Sequence, residues 1–239
     1  MAARMHGAAV GFDFDHTLGI DNKLETVAFV NLAQQRAQSA GRTLNEERAR
    51  VAIGRELGNY RSGKCSLDEA IISAFEEALG NGAGDRGAVD AFRSLALELV
   101  SQYVEALPGV TETLRGLDAS SVPYAILTNG WNPLQQRKAD CIGFTKPVFV
   151  SDDLGVRKPS VQAFNALRDY FNLPADCIWY VGDDPKIDVL GALGAGMRSI
   201  WFNFDRQKFP TDIPAPTAIV TDMRDILTVI PIPARERLT

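Results

Sequence analysis

A chain of 239 residues, 46% hydrophobic and 23% charged, has the length for a large buried core and the composition of an ordinary globular protein. Its 25 Lys and Arg against 30 Asp and Glu leave a net charge of −5, which argues against a nucleic-acid backbone or an anionic membrane as the main partner. Cys65, Cys141 and Cys177 are odd in number and widely spaced, so they fit neither a disulfide framework nor a zinc cluster.

The first stretch, Met1 to His6, lacks the apolar core of a leader, and His6 has no assigned role. No apolar run approaches the roughly 18 to 20 residues of a membrane span, so a cytoplasmic protein is expected. Ala8 to Phe12 is predicted as a buried strand. It ends in Phe12-Asp13-Phe14-Asp15-His16-Thr17-Leu18, where an extended backbone points the side chains of Asp13 and Asp15 the same way. Two acids so placed repel each other and call for a cation between them.

Helices follow. Asp21 to Ala40 carries Leu24, Val27, Ala28 and Leu32 at helical spacing, with Asp21 as N-cap and Gly41 as stop. Asn45 to Leu57 reads as a second helix. Ser66 and Glu69 form a capping box ahead of Ile71, Ile72, Phe75 and Leu79, and Val89, Phe92, Ala96, Leu99 and Tyr103 make a fourth apolar stripe. No strand is expected between Asp21 and Leu107. Arg55, Tyr60, Arg61 and Lys64, interleaved with Gly54, Gly58 and Gly63, are placed between helices, as a solvated loop or a contact for a leaving group.

Beyond Pro108-Gly109 the pattern changes. Strands are predicted at Pro123 to Leu127, Pro147 to Val150, Ile178 to Val181, Ser199 to Phe202 and Ala218 to Val220. Helices are predicted at Pro133 to Cys141, Pro159 to Phe171 and Ile187 to Ala195, with Pro133 and Pro159 in first helical positions. Pro210 to Pro216 and Pro231 to Pro233 read as loop and tail. The alternation implies an α/β fold, a Rossmann-like parallel sheet with helices on both faces, which the first strand joins across the helical block. Residues 1–19 and 108–239 then form the core domain, and residues 20–107 an inserted α-helical domain.

Ligands of open parallel sheets bind at the carboxyl ends of the strands. The first strand delivers Asp13 and Asp15 there, the second Thr128-Asn129-Gly130, the third leads to Arg157-Lys158-Pro159, and the fourth delivers Gly182-Asp183-Asp184 with Asp188. Each set alone is ordinary: a turn dipeptide, a helix start, an N-cap. Together they are carboxylates suited to Mg²⁺, a hydroxyl and backbone N–H groups near Asn129 and Gly130 for anionic oxygens, and a lysine near a helix N-terminus, a pocket for a phosphoryl group.

In these four motifs the chain resembles the haloacid dehalogenase-like hydrolase superfamily. The helical block resembles that family's helical cap. The resemblance implies Asp13 as the nucleophile that becomes an aspartyl-phosphate, Asp15 as general acid and then base, Thr128 as a phosphoryl ligand, and Lys158 as the balancing charge. It implies Mg²⁺ on the Asp13 carboxylate, the Asp15 backbone carbonyl and Asp183, with Asp184 and Asp188 as ligands or anchors. Dehalogenases of the family lack an acid at the Asp15 position, so a phosphatase is expected.

His16 stands where many relatives carry Gly, and it reads as an exposed loop residue or a gate contact. Trp131 either stacks on a substrate ring or packs under the next helix. The run Thr128-Asn-Gly-Trp-Asn-Pro-Leu-Gln-Gln-Arg-Lys is similar to a segment of pyrimidine-nucleotidase-like and acylneuraminate-phosphatase-like relatives, favouring a nucleotide or sugar phosphate as substrate. The expectation is a Mg²⁺-dependent phosphatase of a small metabolite, monomeric or homodimeric. Its alternatives are a phosphomutase or phosphotransferase of the same fold and a catalytically silent binding protein.

Overall fold

The computed structural model describes residues 7–231; His6 and the end of the proline-rich tail lie outside them. In chain order the elements are β1 (Ala9–Phe12), β2 (Gly19–Ile20), α1 (Leu24–Ser39), α2 (Glu46–Arg61), α3 (Leu67–Leu79), α4 (Arg86–Tyr103) and β3 (Glu105–Ala106). They continue with α5 (Val110–Ala119), β4 (Tyr124–Thr128), α6 (Leu134–Cys141), β5 (Val148–Val150), α7 (Ser151–Leu154) and α8 (Val161–Phe171). Last come β6 (Ile178–Gly182), α9 (Leu190–Gly194), β7 (Arg198–Phe202), β8 (Ala218–Val220) and α10 (Ile226–Val229).

The chain divides into two compact units, Asp21–Val104 and the remainder. In the remainder six strands pair in the order β5-β4-β1-β6-β7-β8, all parallel, which makes the unit a Rossmann-like α/β sheet. The central strand β1 is buried on both faces, as its unbroken apolar sequence requires. Ala163, Phe164 and Leu167 of α8 pack with Ala9, Leu127, Ile178 and Tyr180 in a closed core. Phe12 pairs with Ile126 on one side and Val181 on the other, so β1, β4 and β6 run out at nearly the same level and release their next residues at one edge.

The other unit is four helices. Asn45 caps α2 by accepting from Arg48 N–H, Asp85 caps α4 by accepting from Ala88 N–H at 2.7 Å, and Ser66 and Glu69 close the expected capping box. Phe29 of α1 and Phe75 of α3, both fully buried, meet with ring centroids 4.6 Å apart in the helical core.

Several expectations are corrected. Asp21 does not cap α1; it accepts from Lys23 N–H, and Lys23, with φ of 62°, begins the helix. Pro133 and Pro159 precede their helices instead of opening them. Arg55, Tyr60 and Arg61 lie inside α2, not between helices: Arg55 pairs with Glu56 and Glu77, Arg61 with Glu25 at 2.6 Å, and Tyr60 is buried. The short strands β2 and β3, antiparallel through Gly19 opposite Ala106, were not anticipated, because two-residue strands have no period to detect; helix α5, whose Val110, Thr113, Leu114 and Leu117 do follow a helical period, was also not anticipated.

Phe75→Ala removes a whole ring from the helical core and is expected to cost about 3 to 5 kcal/mol of stability, measured by denaturant titration.

Candidate active site

At the shared carboxyl edge the backbone of Asp13 donates to Val181 O at 2.8 Å, tying the end of β1 to the end of β6. Lys158 enters from the loop before α8. Its backbone is held by the Asn129 side chain, which donates through Nδ2 to Lys158 O and accepts through Oδ1 from Lys158 N–H, both at 2.9 Å. This reciprocal pair locks the Thr128-Asn129-Gly130 loop to Lys158. The Asn129 side chain is therefore engaged in structure, and of the backbone N–H groups that the sequence offered to an anion, that of Gly130 instead donates to Ser151 Oγ at 3.0 Å.

The Lys158 ammonium is almost entirely buried. It lies 2.8 Å from Asp13 Oδ1 and 2.7 Å from Asp188 Oδ1, and donates to Tyr180 Oη at 2.9 Å. Tyr180 Oη donates onward to Leu127 O at 2.7 Å. Burial alone would lower the Lys158 pKa; Asp13 and Asp188 outweigh it and raise the group well above its usual value, so the cation persists. Glycine makes room for this cluster twice. A Cβ on Gly11 would overlap Leu167 and the Tyr180 ring, and a Cβ on Gly182 would overlap the Asp188 carboxyl.

Asp13, Asp183 and Asp188 each present an oxygen within 4.8 Å of the others. Burial, with Asp13 and Asp188 adding repulsion, raises the Asp183 carboxyl to about 8. Burial also pushes Asp188 upward, opposed by Lys158. With all three ionised, three carboxylates against one ammonium carry two negative charges in excess, the charge of one divalent cation. The all-oxygen donor set is that of a hard ion such as Mg²⁺. The residues present therefore fit the metal that the resemblance implies.

The other named residues take different places. Asp184 Oδ1 accepts from Lys186 N–H and Ile187 N–H, capping the wide helical turn Pro185–Val189, and Asp184 lies outside the three-carboxylate group. Thr128 is buried at the end of β4. Asp15 turns its carboxylate to Lys138 Nζ at 3.0 Å and Gln135 Nε2 at 3.2 Å. His16 is exposed with φ of 60°, a left-handed conformation that glycine adopts freely and that non-glycine residues rarely take. Trp131 is buried, which fits packing and not an open stacking face. Sequence reasoning missed Tyr180, Trp201, Gln135 and Lys138. Trp201 Nε1 donates to Asp183 O at 2.7 Å and steadies that loop. For Gln135 and Lys138 the signals available were their place in the run Thr128 to Lys138 and their spacing, three apart on a helix that begins at Leu134.

Two outcomes are expected. Gly182→Ala displaces Asp188 and weakens Mg²⁺ binding by at least about tenfold, measured calorimetrically. For the metal-free protein the sign follows from Asp183, whose folded pKa of about 8 lies above the ordinary 3.8: below pH 4 both states are protonated, and between pH 4 and 8 the folded state binds more protons than the unfolded. Stability conferred at low pH is thus lost as pH rises through that window. Mg²⁺ at a fixed concentration of about 100 times its Kd at pH 8 should restore roughly 5 to 10 °C of Tm at pH 8 and less at pH 5, read by thermal melts with Mg²⁺ or a chelator.

The haloacid dehalogenase-like hydrolase family model matches residues 8–196. Pyrimidine 5'-nucleotidase YjjG of Escherichia coli (strain K12) is 28% identical over 134 residues, 54% of this chain and 59% of that protein. Glyceraldehyde 3-phosphate phosphatase of Methanothermobacter thermautotrophicus is 28% identical over 213 residues, 82% of this chain and 85% of that protein. The chain spans about half the length of the first curated relatives it matches. Among solved structures, the HAD-hydrolase YfnB of Bacillus subtilis bound to magnesium superposes with a TM-score of 0.71 at 20% identity, covering 95% of this chain and 100% of that one. With the parallel sheet, the four motif sets at one edge and a family match over most of its length, this chain belongs to the haloacid dehalogenase-like hydrolase family.

Proposed function

We propose that this chain is a Mg²⁺-dependent phosphatase that hydrolyses phosphomonoesters of a small metabolite through an aspartyl-phosphate on Asp13. The observation that carries this reading is the Lys158 ammonium, 2.8 Å from Asp13 Oδ1 and beside the three-carboxylate cluster. Phosphoryl transfer needs positioning and charge stabilisation above all, and this arrangement concentrates both at one acid.

In the first step Asp13 attacks phosphorus, the bond from phosphorus to the leaving oxygen breaks, and Asp15 gives that oxygen a proton. In the second, Asp15 takes a proton from a water that attacks phosphorus, the bond to Asp13 breaks, and phosphate leaves. Lys158 offsets charge on the phosphoryl oxygens, and the Thr128 hydroxyl donates to one of them. Mg²⁺, held by Asp13, Asp183 and the Asp15 carbonyl with Asp188 as anchor, would neutralise and orient those oxygens.

A proton donor at Asp15 favours an oxygen leaving group over halide, which departs as a stable anion. A cavity of about 460 Å³ beside Asp183, with Ile20, Leu107, Trp201 and Phe204 among its walls, suits a small leaving group. The nucleotidase and triose-phosphate phosphatase among the relatives support nucleotide or sugar phosphates as the class. The helical unit 21–104 is assigned the part of a cap that selects among them. Among the described residues no helix is long and apolar enough to cross a membrane.

A screen of phosphorylated metabolites with Mg²⁺, following released phosphate, tests the reading. Turnover is expected with at least one nucleotide or sugar phosphate and should vanish with a chelator. Asp13→Asn should lower it by at least about a thousandfold while the circular dichroism spectrum stays unchanged. Near wild-type turnover in that variant would overturn the mechanism, and isomerised sugar phosphate without free phosphate would indicate a mutase.

A further inference from the structure

The Asp15 carboxylate is gripped at both oxygens by one helix. Gln135 and Lys138 lie three residues apart on α6 and so share a face. Lys138 Nζ lies 3.0 Å from Asp15 Oδ1, and Gln135 Nε2 donates to Oδ2 at 3.2 Å. The Lys138 side chain is 1% exposed, whereas that of Asp15 is 31% exposed. The ammonium has been withdrawn from water and its partner has not.

Stability does not account for this arrangement. Desolvating a buried cation consumes most of what its ion pair returns, and an apolar side chain of similar volume serves a core at least as well. The Gln135 amide points to the same conclusion. Its NH₂ end faces Asp15 Oδ2 and, at 3.4 Å, Asn129 O, which leaves Oε1 buried with no hydrogen-bond partner. An orphaned buried acceptor is a cost, so the amide is oriented for what its other end holds.

We propose that Gln135 and Lys138 are positioning residues that fix the direction of the Asp15 carboxyl for proton transfer at the leaving oxygen. The proposal rests on the phosphatase reading above. A carboxyl bonded at one oxygen still swings about its side-chain torsions, while a two-point grip holds it in the orientation that a proton transfer over hydrogen-bond distance demands. Neither residue touches the phosphoryl group in this account; both act through Asp15.

Leaving-group dependence tests the grip. p-Nitrophenolate departs readily without a proton, whereas phenolate is a stronger base and gains from one. Values of kcat/KM, which report the steps up to phosphorylation of Asp13, are measured with Mg²⁺ on p-nitrophenyl phosphate and phenyl phosphate for the wild type, Lys138→Met, Gln135→Met and Asp15→Asn. Lys138→Met is expected to lose roughly tenfold or more on phenyl phosphate beyond its loss on p-nitrophenyl phosphate, with Gln135→Met shifted the same way by less and Asp15→Asn by more. Equal losses on the two esters, or none, in variants with a wild-type circular dichroism spectrum would overturn the proposal. If Lys138→Met does not fold, Gln135→Met decides by the same criterion. A wild type that hydrolyses neither ester nor any phosphorylated metabolite sinks the phosphatase reading itself. Leaving-group dependence in Asp15→Asn alone sinks only the grip.

Discussion

The Lys158 ammonium, enclosed between Asp13 and Asp188, is the interaction on which the site depends. A cation this deep is tolerated only because two carboxylates and a phenol oxygen replace its water. Removing one member of such a buried pair typically costs about 3 to 5 kcal/mol, since the remaining charge is left without compensation. The surrounding sequence accommodates that one contact. Gly11 admits the Tyr180 ring, Gly182 admits Asp188, and Asn129 holds the Lys158 backbone. Residues from β1, the loop after β4, the loop before α8 and the turn after β6 are thereby drawn to a common point.

The same enclosure makes the metal-free site electrostatically incomplete. Lys158 balances one carboxylate of three, and the surplus shows in Asp183, whose carboxyl is pushed up to about 8 by burial and by its acidic neighbours. A divalent cation bound there would remove the surplus and turn repulsion into a binding force. Trp201, hydrogen-bonded to Asp183 O, and Thr17, 3.5 Å from Asp183 Oδ1, hold that acid in place from β7 and from the β1 loop.

Asp13 and Asp15, two residues apart, have been given opposite surroundings. Asp13 shares the buried cation with Asp188, while Asp15 turns to a second lysine, Lys138, and to Gln135 on α6. Separating two acids onto two cations gives them different environments, as the two roles proposed for them require. The residue after Asp15 pays attention to the same geometry: His16 takes a left-handed conformation and donates its N–H to Gly19 O at 2.8 Å, closing the loop that turns Asp15 away from the strand direction.

What the sequence determined by itself was the order of elements and the edge on which chemistry collects. Apolar runs separated by amphipathic ones are local properties, and parallel strands present their carboxyl ends together, so Asp13, Thr128, Lys158 and Asp183 could be assigned to one edge without coordinates. The Ser66–Glu69 box was legible for the same reason, both partners being one turn apart. Only the tertiary structure decided which polar groups spend their hydrogen bonds on the protein. Asn129, Gly130 N–H and Asp184 proved to be committed to Lys158, Ser151 and a helix start. Tyr180, hidden in an apolar strand, and Lys138, far from Asp15 along the chain, entered the site through contacts that no local period encodes. A carboxylate's partners depend on which side chains the packed sheet brings within about 3 Å, and that distance exists only once the chain has folded.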